Sequence, residues 1–362
     1  MIAEQVNKVS RSFGMVIDQL HEPLRQEVRI AYLLFRLGDN IEDTSSLGAE
    51  EKHELLQGLL EAFREGRPYR EALERREAGS FRDLTDGERE LFAHTDGIIE
   101  AFGGLAKEAR GALLGEAASM FGGMARMQRV HREGGFVILP DPRALEEYCY
   151  YVAGTVGDFL TDRFLAQIPW LDERRRAQLL GARRALALVL QVTNILRDLR
   201  DDHEHGHIFY PRSFFDRFDA PALLGPELRP EVLRAGVRVA RWLLPAVRLA
   251  SAYIQALPAR SRPMRVFCAI PYAMALGTLT RVVGNQEIFG PEPVKLTRAE
   301  TRRTVLVARA MAPSNFLLNA WFDRLRAGLE GRLDTLGRTL GEPPGSPSER
   351  PSFERFDFGR PE

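Results

Sequence analysis

The segment 185–196, Ala-Leu-Ala-Leu-Val-Leu-Gln-Val-Thr-Asn-Ile-Leu, is apolar nearly all round and runs into Arg197-Asp198-Leu199-Arg200-Asp201-Asp202. A helix that is apolar on every side belongs in the centre of a fold. Carboxylates rarely share such surroundings unless they are paired, protonated or bound to metal. A second acidic cluster, Asp39-Asn40-Ile41-Glu42-Asp43, closes another apolar helical stretch. Each cluster places two aspartates four residues apart, one turn along a single helix face. Two such clusters facing each other would hold hard cations, and hard cations hold phosphate oxygens. The pattern predicts an all-α protein whose chemistry concerns a diphosphate.

Helical periodicity dominates the rest of the chain, and no alternating strand pattern stands out. Helices are expected near 24–43, 49–65, 86–103, 107–132, 143–167, 173–203, 229–256, 262–283 and 298–337. Breakers separate them at Pro68, Pro140, Pro142, Pro169, Pro211, Gly225–Pro226, Pro258 and Gly290–Pro293. Gly154 and Gly157 would let the helix that carries Tyr148, Val152, Val156 and Phe159 approach its neighbours closely. The expected architecture is a single helical bundle around a central apolar cavity, one domain over 1–340. From 341 to 362 the chain is rich in Pro, Gly, Ser and charge, which predicts a disordered polar tail.

Charge excludes some functions. Lys+Arg and Asp+Glu both number 50, so a general nucleic-acid surface is not supported. Lysine occurs only at Lys8, Lys52, Lys107 and Lys295. Cys149 and Cys268 have neither metal-ligand spacing nor a disulfide framework, which fits a reducing compartment. The N-terminus lacks an apolar signal core, and the apolar runs 185–196 and 242–257 are too short to span a membrane.

Tyr32, Arg36, Asp39 and Asp43 form one stripe. Taken alone, it reads first as a solvated face with an Arg–Asp ion pair. Gln191, Asn194, Asp198 and Asp202 form a matching stripe whose upper half lies in the most apolar stretch, and buried amides need partners. The match favours a metal–diphosphate site. Magnesium suits it, because this ion binds through few carboxylates plus substrate phosphates. Arg36 and Arg197 would supply bidentate contacts to phosphate. His203, His205 and His207 would converge on zinc only along an extended strand. The adjacent Gly206 and Pro211 favour a loop over the diphosphate instead. Tyr148 and Tyr151 read as core tyrosines in general. Beside an ionising allylic substrate they would stabilise a carbocation and move a proton.

Five stretches in order resemble the squalene/phytoene synthase family, and within it the squalene synthases more than the phytoene synthases. They are Ser10-Arg11-Ser12-Phe13, the Asp39–Asp43 cluster, Tyr148-Cys149-Tyr150-Tyr151-Val152-Ala153-Gly154, Gln191 to Asp198, and Phe267-Cys268-Ala269-Ile270-Pro271. The resemblance implies an isoprenoid synthase fold. It implies condensation of two farnesyl diphosphates to presqualene diphosphate, then reduction to squalene with NADPH. Asp39, Asp43, Asp198 and Asp202 would hold magnesium, and Ser10, Arg11, Ser12, Arg36 and Arg197 the diphosphates. Tyr148 would serve acid–base chemistry with Tyr151 and Tyr32 nearby. Phe13, Gln191, Asn194, Phe267 and Pro271 would line the pocket, and Lys295 and Arg298 would meet NADPH.

The same resemblance implies a bacterial-type enzyme without the C-terminal membrane helix of eukaryotic relatives. It is expected in the cytoplasm, with peripheral contact at the inner membrane face for product release. Thr297 replaces one basic position of the NADPH element, and His207 stands where eukaryotic relatives carry arginine. Those departures support a rival, a synthase that stops at presqualene diphosphate, dehydrosqualene or phytoene. A helical interaction protein with a relict site, and a zinc hydrolase built on the histidines, are the readings from other classes.

Overall fold

The computed structural model describes residues 1–44, 47–74, 81, 84–342 and 350–356, apart from the side chains of Arg11, Ser12 and Gln128. In chain order it opens with α1 (Ile2–Val9), α2 (Arg11–Ile17), α3 (Leu24–Asp43), α4 (Ala49–Glu65), α5 (Asp86–Ala93), α6 (Thr95–Gly103) and α7 (Lys107–Val130). Next come β1 (Arg132–Glu133), β2 (Phe136–Ile138), α8 (Pro142–Cys149), a π-helical turn over Tyr150–Gly154, and α9 (Thr155–Gln167). Then follow α10 (Glu173–Ala182), α11 (Ala185–Arg197), α12 (Leu199–Glu204), β3 (His207–Ile208), α13 (Arg229–Ala256), α14 (Arg262–Val282), α15 (Arg298–Met311) and α16 (Asn315–Leu340). The protein is all-α, with one small sheet in which β2 pairs antiparallel with β1 and parallel with β3.

Packing groups the chain into two compact units. Among the described residues, the first comprises those within 1–129 and 158–169; the second comprises those within 130–157 and 170–356. The first unit is centred on α3, which buries Ile30, Leu33, Leu34, Leu37 and Ile41. Each such side chain contributes about 1.5–3 kcal/mol on burial. Gly38 lets α3 meet the Phe121 ring: a Cβ there would lie 2.2 Å from Phe121 Cε1. A buried ion pair, Arg163 Nε to Glu27 Oε2 at 3.0 Å, ties the 158–169 segment to the start of α3. Removing either partner would strand the other charge, at a cost of about 3–5 kcal/mol.

The second unit is centred on α11, packed on α13 and α14. Leu188, Val189, Val192, Ile195 and Leu196 are all buried, as their apolar run requires. The stretch Glu173–Arg197 contains an 18-residue window apolar enough for a membrane span by composition, with a mean hydropathy of 1.3. Its best window is 56% buried inside the protein, as in the core helix of a helical fold.

The expected helices 24–43, 49–65 and 229–256 have the observed bounds. Four others are divided. His94 interrupts 86–103, and Ser314 caps a new helix by accepting from the Leu317 amide within 298–337. The expected helix 173–203 turns at Arg183–Arg184 and breaks again at Asp198, whose φ −98° and ψ 16° lie in the bridge region. A Cβ on Gly157 would sit 2.5 Å from the Arg183 carbonyl, so the first turn is built against glycine. The expected helix 143–167 widens into the π turn, so Tyr148 and Phe159 are not on one regular α-face. Helices α1 and α2 were not anticipated. The described tail residues, 350–356, are held by specific hydrogen bonds to Glu146 and Arg184.

Candidate functional site

The first acidic cluster ends an unbroken helix. Tyr32 is half-buried and stacks on Phe13, ring centroids 4.8 Å apart and 20° from parallel. That stack joins α3 to the motif 10–13. Ser10 caps α2, its Oγ accepting from the Phe13 amide at 3.2 Å, and lies in reach of the Tyr32 hydroxyl. Burial raises the Tyr32 hydroxyl above its usual range, and Arg36 opposes the shift. Arg11 and Ser12 are helical, but their side chains lie outside the described residues.

One turn on, Arg36 pairs with Glu88 at 2.5 Å. Glu88 is itself the third residue of a capping box with Thr85 at the start of α5. Arg36 Nε is buried without an acceptor among the described residues, and so is the donor Asn40 Nδ2. Burial pushes the half-buried Asp39 up to about 7; Arg36 opposes this and Asp43 adds to it. Asp43 is also raised, by packing among protein atoms and then by Glu42. The residue keeps part of its surface open to water, so loss of hydration on its protein-facing side and the neighbouring Glu42 carboxylate together disfavour the charge. Lys52 answers part of this by donating to the Glu42 carbonyl. Crowded hard oxygens beside unpaired donors fit a divalent cation with an anionic ligand.

The second cluster is built differently. Asp198 is the junction between α11 and α12. The Asp202 amide still donates to the Asp198 carbonyl at 2.9 Å, so the one-turn spacing survives the break. Arg197 holds Asp198 in a two-pronged pair, Nε to Oδ1 at 2.6 Å and Nη2 to Oδ2. Asp202 is half-buried, and with burial its charge raises the Tyr210 hydroxyl. Gln191 is half-buried, but Asn194 is exposed, so the buried-amide argument does not apply to Asn194. Among the described residues no three His, Cys, Asp or Glu side chains form a ready metal cage. A set that binds through few carboxylates is compatible with that.

Tyr148 is buried and stacked on Phe209 at 4.2 Å, and Phe209 stacks on His207 at 5.3 Å. Tyr151 is buried and donates to Glu147 Oε1 at 3.2 Å. The three histidines do not converge. His203 Nε2 meets the Ala220 carbonyl, His205 Nδ1 meets the Asp201 carbonyl, and His207 is buried in β3. Phe267 is buried in α14, and Pro271 sits half-buried inside the same helix. Lys295 lines an open cavity of about 700 Å³ with Arg281, Asn285, Glu287 and Arg332. Arg298 is exposed and is not among those lining residues.

Sequence reasoning missed Glu88, Phe209, Arg281, Arg332 and Glu146. Only Glu88 carried a local signal, the Thr85-Asp86-Gly87-Glu88 capping pattern. The others act through partners distant in sequence.

Comparison with known proteins bears on the chain as a whole. The chain is 27% identical to the squalene synthase of Schizosaccharomyces pombe over 83% of its length, covering 63% of that protein. It is 29% identical to human squalene synthase over 78% of the chain and 63% of the relative. Against squalene synthase ERG9 of Saccharomyces cerevisiae it is 31% identical, over 85% of the chain and 66% of the relative. It therefore spans about two thirds or slightly less of these relatives. A solved structure described as TcSQS with the ligand BPH1237 superimposes with a TM-score of 0.76 at 26% identity, covering 94% of this chain and 97% of that one. A second, of TcSQS with E5700, gives the same values. Residues 6–300 match the family model described as squalene/phytoene synthase, and the chain belongs to the squalene/phytoene synthase family.

Proposed function

We propose that the chain joins two farnesyl diphosphates head to head into presqualene diphosphate, then converts this with NADPH to squalene. Family membership supports a prenyltransferase-type enzyme. The observation that carries the reading is the state of the Asp39–Asp43 cluster. Three carboxylates crowd one helix end while the buried donors Arg36 Nε and Asn40 Nδ2 lack acceptors among the described residues. A magnesium diphosphate satisfies both.

Asp39 with Asp43, and Asp198 with Asp202, are the carboxylate pairs that would hold magnesium. When bound, that ion supplies charge stabilisation to the departing diphosphate. Arg36 and Arg197 present guanidinium groups to phosphate oxygens. Ser10, with Arg11 and Ser12, is the further diphosphate-binding set. Tyr148 takes the proton lost when the cyclopropane closes. The rings of Tyr148, Phe209, Tyr32 and Phe13 offer faces to carbon that carries positive charge. Gln191, Asn194, Phe267 and Pro271 are the proposed pocket residues. We place the catalytic domain at 1–340.

For reduction, the cavity beside Lys295 is the site we assign to a phosphate-bearing cofactor. Lys295 is exposed there, and Arg332 Nε is buried without an acceptor among the described residues. Arg281 is partly engaged, pairing with Glu300 and donating to the Lys295 carbonyl. NADPH, when bound, would supply hydride. The rival is the family member that stops without reduction, supported by Thr297, which is committed as the cap of α15. The expected workplace is the cytoplasm, with peripheral contact at the inner membrane face.

The test is incubation of purified protein with farnesyl diphosphate and magnesium, with and without NADPH, and identification of products. Squalene only with NADPH supports both half-reactions. Presqualene diphosphate or dehydrosqualene regardless of NADPH moves the function to the rival, and no turnover removes both. Tyr148→Phe should slow presqualene diphosphate formation by about a hundredfold. Undiminished formation would refute its role.

A further inference from the structure

The tail was expected to be loose, yet 350–356 docks on the helix that carries Tyr148. Glu146 lies in the last turn of α8, two residues before Tyr148, and is only 7% exposed. Its Oε2 accepts from the Ser352 amide at 2.9 Å. Its Oε1 accepts from the Ser352 hydroxyl at 3.1 Å and from the Phe353 amide at 2.5 Å. Arg184, also 7% exposed, donates Nη1 to the Phe353 carbonyl at 2.9 Å. The same guanidinium lies over the Tyr150 ring at 5.0 Å. Phe356 tilts against Tyr150 at 5.8 Å, and Arg143 covers Phe356 at 5.6 Å.

Phe353 has φ 59°, a left-handed conformation that costs a residue with a side chain. Such a conformation persists when surrounding contacts over-determine it. Here two amide donors meet a buried anion and the next carbonyl meets a buried cation. The segment thereby adds polar partners to two buried charges. It does so at the junction of α8 with the π turn, and π turns recur at functional sites.

We propose that residues 350–356 form a clasp that sets Tyr148 for catalysis, with Glu146 and Arg184 as positioning residues. This rests on the condensation proposed above. Without the clasp, Glu146 and Arg184 lose these partners and the α8–π junction loosens. Displacement of a reacting group by an ångström lowers the chemical step far more than substrate binding.

Two readouts test it. In the full-length chain, hydrogen exchange at the Ser352 and Phe353 amides should be slow, and Glu146→Gln should speed it. A chain ending at residue 349 should form presqualene diphosphate with kcat lower by about tenfold and KM for farnesyl diphosphate changed by less than about twofold. A synthetic peptide of residues 350–356 added in excess should restore kcat. Unchanged kcat in the shortened chain, or amides exchanging as in the free peptide, overturns the clasp. If the shortened chain does not fold, full-length Glu146→Gln carries the same kcat and exchange comparison. A wild-type chain inert on farnesyl diphosphate sinks the condensation itself, and amide exchange alone then decides the clasp.

Discussion

The two acidic clusters share a spacing and little else. Asp39 and Asp43 end an unbroken helix, and their guanidinium, Arg36, is anchored from outside by Glu88 on α5. Asp198 and Asp202 straddle a helix break, and their guanidinium, Arg197, is held by Asp198 itself. The first cluster therefore carries excess negative charge, and Asp39 is pushed up to about 7. The second has already neutralised half of its charge. Identical motifs can thus start from different electrostatic states. On the proposed magnesium site, the first would take a cation as it stands, and the second would first exchange an internal arginine for an external ligand.

The largest effects should not distinguish the clusters. On the proposed condensation, Asp39→Ala and Asp198→Ala are each expected to lower turnover of farnesyl diphosphate by about a thousandfold, with circular dichroism unchanged. Full activity in either soluble variant would remove that cluster from the site. The next effects should separate them. Glu88→Gln releases Arg36 without touching a carboxylate of the cluster, and kcat should fall about tenfold, as for other outer-shell partners. Arg197→Lys removes both the two-pronged grip on Asp198 and a phosphate fork, so about a hundredfold loss is expected. Single-turnover formation of presqualene diphosphate reads both variants. Equal losses would mean that the two arginines are positioned alike, against the contrast drawn from the geometry.

What the sequence made legible follows the range of the interactions. Asp39–Asp43 and Asp198–Asp202 are local patterns, one helical turn long, and periodicity alone exposes them. The helices 24–43 and 229–256 were equally visible, because their ends coincide with local signals. The break at Asp198 was not, because no proline or glycine marks it in the sequence. The π turn was hidden for a similar reason: Tyr-Tyr-Val-Ala-Gly is compatible with an ordinary α-helix. Glu88, 52 residues from Arg36, and Phe209 beside Tyr148 are tertiary partners. The tail misled in the opposite direction. Its composition predicts disorder, yet two residues, Ser352 and Phe353, meet a buried carboxylate that no count of prolines and serines reveals.

The smallest expected effect draws the sharpest line between the clusters, because it concerns stability without metal. Asp39 binds its proton more tightly folded, at about 7, than at its ordinary value of 3.8. A carboxyl raised in this way favours the folded state fully below its ordinary value. That contribution is lost as pH rises through the folded value. At pH 8 the ionised Asp39 therefore burdens the metal-free protein, and Asp39→Asn should relieve it. Asp39 is half-buried and screened, so a gain of about 1 kcal/mol is a reasonable scale, or about 2–4 °C in Tm. Asp198→Asn should behave oppositely, because it discards the charge that Arg197 grips, and its Tm should stay level or fall by a similar amount. Thermal unfolding in EDTA at pH 8 makes the comparison, and at pH 5 the gain for Asp39→Asn should shrink. Magnesium with a non-hydrolysable farnesyl diphosphate analogue should then raise the Tm of the wild-type chain and leave Asp39→Asn behind. A metal-free Asp39→Asn less stable than wild type at pH 8 would show that the Asp39 charge is already compensated, and the contrast between the clusters would collapse.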